Sequence, residues 1–323
     1  MADDVREALL ARLRERRFLT TAGTETFLVF QQGFELPEFA AFTVLEDEPA
    51  WSKLQQDYLS PIFATAAEQG FGLIVDALVW RAQPDYLRKL GRDAEALESI
   101  NRRAVEIVRS AVEGWRGRRG LDASRLPILI AADLGPRGDG YRIEGAGPDP
   151  EVARAYHRPQ LESLAAAGVD LACALTMTSL EESIGIVRAC GDVGLPVIVS
   201  PTVETDGRLP DGRSLGDFVQ SLDAATGAAP LFYMVNCAHP THLRPALDSA
   251  RAAGASWLER FRGFRANASA RSHAELDEST ELDRGDVSRL AQEIEAMRRD
   301  FDLWVVGGCC GTDHEHLRAI ASA

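Results

Sequence analysis

The stretch VDLACALTMTSLEESIGIVRACGDVGLPVIVSP, residues 169–201, holds two nearly unbroken apolar runs, VDLACALTM and PVIVSP, on either side of a helical segment. Strands buried on both faces read as continuous hydrophobic runs, and strand–helix–strand is the unit of a parallel sheet covered by helices. Working outward, the same kind of run recurs at FLTTAG (18–23), FGLIVDALVW (71–80), PILIAAD (127–133), LFYMVNC (231–237), GFRANA (263–268) and LWVVGGCC (303–310), which makes eight. Between them lie segments such as AEALESINRRAVEIVRSAVEGW (94–115) and DVSRLAQEIEAMRRD (286–300), with helical spacing and Asp or Ser near their starts. Eight strands with intervening helices predict an α/β fold, a single (β/α)8 TIM-type barrel forming one domain over 1–323. The alternative, an open doubly wound sheet, calls for a Gly-rich phosphate turn after its first strand, and TAGTET (21–26) is not one.

Composition narrows the partners. With 49 acidic against 35 basic residues, a net charge of −14 and no Lys/Arg block, the chain lacks the basic footprint that a nucleic acid requires. A small neutral or cationic substrate fits better. The start, MADDVREALLARLRERRFLT, has helical spacing without the apolar core of a signal peptide, and no later run reaches the length of a membrane span, so a cytoplasmic protein is expected. Five cysteines, two of them adjacent, argue against a disulfide framework and for reduced thiols.

Three of these thiols are placed for chemistry. In an α/β barrel, functional groups gather where the strands end at their C-termini. Cys237 ends the sixth run, and Cys309 and Cys310 end the eighth, one strand apart around the barrel. Zinc favours thiolate sulfur in tetrahedral geometry, and three protein ligands leave the fourth position open. Gly307, Gly308 and Gly311 around the pair allow the backbone bend that turns adjacent side chains toward one ion. Cys173 and Cys190 read as core residues, as does Tyr233, taken to fill the barrel. His239, His314 and His316 lie near the cysteines, but adding them to the ligand set would saturate the metal. The polar stretch ARSHAELDESTELDRGD (270–286) reads as a solvated loop at the rim.

VNCAHP (235–240) and VGGCCGTDHEHLRAIA (306–321) closely resemble the two signatures of the homocysteine S-methyltransferase family. Supporting similarities are GTET (23–26), WRA (80–82), Asn101, GPRGDGY (135–141) and ANA (266–268), so the resemblance spans essentially the whole chain. It implies a zinc-dependent barrel in which Cys237, Cys309 and Cys310 bind Zn2+ and the substrate thiol becomes the fourth ligand. A free thiol of pKa about 8.5 is mostly protonated at neutral pH, and coordination removes its proton. The implied activity is S-methyl transfer from a methylated onium donor to homocysteine, giving methionine, or to a related thiol.

The resemblance departs from the family pattern at three positions. Thr21 stands where an Asp is usual, Val79 where a Thr is usual, and Leu175 where a Glu is usual. In the family these positions help bind the amino-acid end of homocysteine, and an ammonium without carboxylate partners is costly to desolvate. Glu25 and Asp76 are the nearby carboxylates that can replace the missing ones. The substrate-binding candidates are therefore Glu25, Asp76, Trp80, Arg81, Asn101 and Asn236, with Trp80 offered to a donor cation. Two other readings stay open: a zinc or thiol-binding barrel that has lost the family activity, and zinc-dependent hydrolysis. The methyl donor is not legible, and a homo-oligomer is compatible with the barrel faces.

Overall fold

The computed structural model describes residues 2–140, 147–277 and 279–323, so Tyr141 of the GPRGDGY stretch lies outside the described residues. Eight strands form where the apolar runs are: β1 (Phe18–Thr20), β2 (Gly72–Asp76), β3 (Ile128–Leu134), β4 (Leu171–Met177), β5 (Val197–Pro201), β6 (Tyr233–Ala238), β7 (Phe261–Ala266) and β8 (Val305–Gly308). Each pairs in parallel with the next. β8 returns to β1 through Phe18–Val305 and Leu19–Val306, which closes the barrel and leaves no sheet edge. Helices intervene between successive strands, among them Ser60–Gln69, Ala96–Arg118, Pro150–Ala166 and Val287–Phe301. No described helix is long and apolar enough to cross a membrane.

Strand alternation sorts the core into two sets. Phe18, Ile74, Leu129, Leu171, Cys173, Ile198, Met234 and Val305 meet inside the barrel, joined by Leu9 and Leu13 of the helix Ala2–Glu15. That helix plugs the N-terminal end. The alternate residues, such as Leu19, Val75, Ile130, Val199, Val235 and Phe264, face the outer helices. Tyr233 belongs to this outer set: its ring meets Phe218 edge-on and its hydroxyl donates to Asp223, so it does not fill the barrel. Cys173 and Cys190 are buried core residues, as expected. Strand β7 begins two residues earlier than its apolar run because Arg262, whose guanidinium donates to the Leu258, Phe261 and Phe301 carbonyls, interrupts the hydrophobic pattern.

Toward the C-terminal mouth the interior turns polar. Asp76, Asp133, Ser200, Asn236 and Arg265 are all buried there. Buried polar groups need hydrogen-bond partners, and here Asp76 meets Arg265, Ser200 meets Asn236 and Asp133 meets backbone N–H groups.

Candidate metal centre

Met234 and Asn236 point into the barrel, so regular alternation would send Cys237 outward. The chain instead takes a left-handed turn at Cys237 (φ 55°), accompanied by a register shift between Asn236 and Ala238. β4 does the same at Thr176 (φ 59°), with a shift between Leu175 and Met177. A left-handed conformation costs an L-residue about 1–2 kcal/mol, and such strain is retained where the surroundings enforce it. Here the bulge brings the Cys237 sulfur toward the other thiols.

The second stretch is bent by its neighbours. Cys309 N–H donates to the Ala266 carbonyl at 2.7 Å, and the Cys310 carbonyl accepts from Ala268 N–H at 3.0 Å. Gly311, at φ 80°, has the Asp283 carbonyl only 2.7 Å from where a Cβ would stand. Gly23 is equally constrained, since a Cβ there would lie 2.4 Å from the Cys309 carbonyl oxygen. Gly23 N–H donates to the Thr312 carbonyl, and Gly311 N–H donates to Thr26 Oγ1. The GTET turn after β1 and the cysteine loop after β8 therefore interlock.

The three Sγ atoms of Cys237, Cys309 and Cys310 lie within 4.8 Å of one another, with Cys237 and Cys310 at 3.9 Å. A tetrahedral ion with bonds of about 2.3 Å spans sulfurs roughly 3.8 Å apart, so the cluster fits a thiophilic divalent ion with little adjustment. Hydrogen bonding with the Cys237 sulfur, together with burial, pushes the Cys309 thiol up to about 12 and Cys310 well above its ordinary range. Left to themselves the thiols keep their protons, and a cation is what stabilises three thiolates together. Among the described residues this is the cluster of His, Cys, Asp and Glu side chains that can hold a metal. His239 instead caps its helix, with Nδ1 accepting from Thr241 N–H. His316 forms a capping box with Asp313.

Beneath the thiols, Asn236 ties three strands together. Its Oδ1 accepts from Thr176 N–H and Ser200 Oγ, and its Nδ2 donates to Thr176 Oγ1 while sitting 3.9 Å from Cys309 Sγ. Its hydrogen-bonding capacity is largely taken up by the protein, so it orients the floor of the site.

The two candidate replacement carboxylates behave differently. Asp76 accepts from Thr21 Oγ1 at 2.5 Å and from both terminal nitrogens of Arg265, at 3.1 and 2.7 Å. Its charge is matched inside the barrel, so it acts as a structural partner of Arg265 rather than a ready ligand for an ammonium group. Glu25 is half-buried, and among the described residues no cation forms an ion pair with it. Burial, against an opposing backbone hydrogen bond, pushes its carboxyl up to about 7, with Cys309 and Asp76 adding in the same direction.

The other substrate-binding candidates, Trp80, Arg81 and Asn101, are tied into the loops around the mouth. Arg81 lies over the Trp80 and Tyr86 rings, at 3.8 and 4.2 Å from their centroids, and donates to the Pro136 and Gly138 carbonyls. One face of Trp80 is thus covered by Arg81, and the Trp80 indole N–H reaches the Leu175 carbonyl. Asp133 accepts from the backbone N–H groups of Val79 and Trp80 and holds that loop from below. Asn101 is fully buried and donates to the Ala82 and Leu97 carbonyls, so it props the Trp80–Arg81 loop from behind. Arg265 and Asp133 were missed as site residues. The signal that can reveal them is a charge at an inward position of a strand that is otherwise apolar.

Known proteins show the same architecture. The chain is 24% identical over 303 residues to Homocysteine S-methyltransferase 3 of Arabidopsis thaliana, covering 88% of this chain and 83% of that protein. Its fold is similar to that of the Escherichia coli homocysteine methyltransferase MmuM. The metallated form matches with a TM-score of 0.73 at 19% identity over 98% of both chains, and the apo form with 0.65 at 19% identity over 95% of each. Residues 41–323 match the family described as homocysteine S-methyltransferase, and the chain therefore belongs to that family of methyltransferases.

Proposed function

We propose that this chain, acting as a single cytoplasmic barrel domain, holds zinc through Cys237, Cys309 and Cys310 and methylates homocysteine or a closely related thiol from a methylated onium donor. The observation that carries the reading is the convergence of three thiols, from two distant stretches, within 4.8 Å at the barrel mouth. Zinc bound there would supply the positive charge that lets a substrate thiol ionise at neutral pH. The transfer forms one S–CH3 bond on the acceptor and breaks one C–onium bond on the donor, which leaves uncharged, while the thiol proton passes to solvent.

The protein's own residues set the geometry. Asn236 and the bulges at Thr176 and Cys237 fix the floor against which the acceptor sulfur rests. Glu25 is the carboxylate available to an acceptor's ammonium group, because Asp76 is matched by Arg265. Three thiolates also disfavour the hydrolytic reading, since they donate charge to the metal and weaken its acidity toward water.

Zinc X-ray absorption on the zinc-loaded protein, with and without homocysteine, tests the proposal. Three sulfurs and one lighter atom should become four sulfurs on adding the acceptor. An unchanged spectrum would count against homocysteine as acceptor, and absence of stoichiometric zinc would remove the metal centre itself.

A further inference from the structure

The carbonyl of Cys237 is the point from which the metal centre is braced on its outer side. The register with β7 shifts between Asn236 and Ala238, and beyond the bulge the bond to the β7 end runs from Asn267 N–H to the Ala238 carbonyl. Thr202 Oγ1 approaches the Cys237 oxygen at 3.4 Å, the outer limit of a hydrogen bond. The short contact, 2.6 Å, comes from His273 Nε2. A carbonyl only accepts, so the ring nitrogen is the donor.

His273 is delivered there by a segment that is itself fixed. It begins the short helix His273–Asp277 in the connection between β7 and the helix Val287–Phe301, and its Nδ1 faces Glu204 Oε1 of the β5 loop at 3.3 Å. The ring is largely buried although it comes from the most polar stretch of the chain. Upstream, the Ala270 carbonyl is bonded to His242 Nε2. Downstream, Asp283 accepts from Ser269 Oγ, and the Arg284 carbonyl accepts from His316 Nε2. The same connection thus touches both stretches that carry the thiols.

We propose that His273 is a positioning residue for the metal centre, holding Cys237 in its left-handed conformation so that its sulfur faces Cys309 and Cys310. Without that donor, Cys237 relaxes toward extended backbone and its side chain turns out of the cluster. Groups that orient metal ligands from behind typically change metal affinity by about 10–100-fold when removed, which sets the size of the expected effect.

The experiment compares metal release from the full-length, zinc-loaded protein by competition with a chromophoric chelator, alongside the visible spectrum of the cobalt-substituted form. His273→Phe keeps ring volume without the donor, and His273→Gln keeps a donor N–H. Release from the Phe variant should be at least about tenfold faster with an altered cobalt spectrum, and the Gln variant should stay within about threefold of wild type. Wild-type release from the Phe variant, or equally fast release from both, overturns the proposal. If the Phe variant does not fold, His273→Ala takes its place under the same criteria. The inference rests on the metal-centre reading, and the wild type separates the two: failure of the wild type to bind stoichiometric metal defeats that reading, whereas a metal-loaded wild type matched by the Phe variant defeats only this one.

Discussion

Arg265 grips Asp76 through both terminal nitrogens, at 2.7 and 3.1 Å, across 189 residues of sequence. Both side chains are buried, so each charge depends on the other. Removing one partner of such a pair typically costs about 3–5 kcal/mol, whereas replacing both with apolar residues is often neutral. Arg265→Leu should lower stability to urea by that amount, and the Arg265→Leu, Asp76→Leu double variant should recover much of it. Equal destabilisation of single and double variants would show that the pair is not the source.

Cys310→Ala should abolish stoichiometric zinc binding while leaving far-ultraviolet circular dichroism unchanged, because the barrel core lies below the cysteine loop and closes through β1 and β8. Methyl transfer should fall with the zinc. Full activity in the zinc-free variant would contradict the role given to the triad.

Glu25→Gln should raise the acceptor KM about tenfold, close to the strength of one charge-assisted hydrogen bond, with zinc content unchanged. The same change should barely affect an acceptor thiol lacking an ammonium group. Equal losses on both acceptors would assign Glu25 to structure.

At Gly311 the substitution to Ala meets two obstacles together, a φ of 80° and the Asp283 carbonyl at 2.7 Å. The conformational part alone costs about 1–2 kcal/mol. Thermal unfolding should record at least that loss, and metal should be released faster because Cys310 is the preceding residue. A variant with native stability would mean that the loop can shift to make room.

Asp313 provides a pH test. Burial raises its carboxyl, but the bonds from His316 and Gln31 and the Arg284 charge outweigh that and hold it well below the usual carboxylate range. A depressed acid contributes stability above its unfolded pKa, near 3.9, and loses it as pH falls toward the folded value. Asp313→Asn, which keeps a capping oxygen, should therefore be less stable than wild type at pH 7 and approach it below about pH 4. A stability difference independent of pH would rule out the charge as its origin.

The barrel was legible because its strands are buried on both faces and read as apolar runs, and the meeting of the three thiols was legible because Cys237 and Cys309 stand at the ends of two such runs. Parity along a strand predicts that Asn236 and Cys237 point to opposite sides, and the left-handed turn that reverses this depends on Thr202, His273 and the β7 register, which no local pattern encodes. Asp76 was read as a replacement carboxylate for the substrate because its partner, Arg265, is supplied by a distant strand. The bonds that Asn101 and Arg81 give to carbonyls of neighbouring loops were not legible, since they are invisible until those loops are placed. His273 was hidden in a stretch whose polarity signalled only solvent.

The interlock of the GTET turn with the cysteine loop joins the first strand of the barrel to the last. During synthesis a growing chain therefore carries a single thiol of the triad until β8 has emerged, and the remaining two arrive in the same step that zips β8 against β1. An ion held by all three thiols together would therefore find its full ligand set only once the last strand has closed on the first.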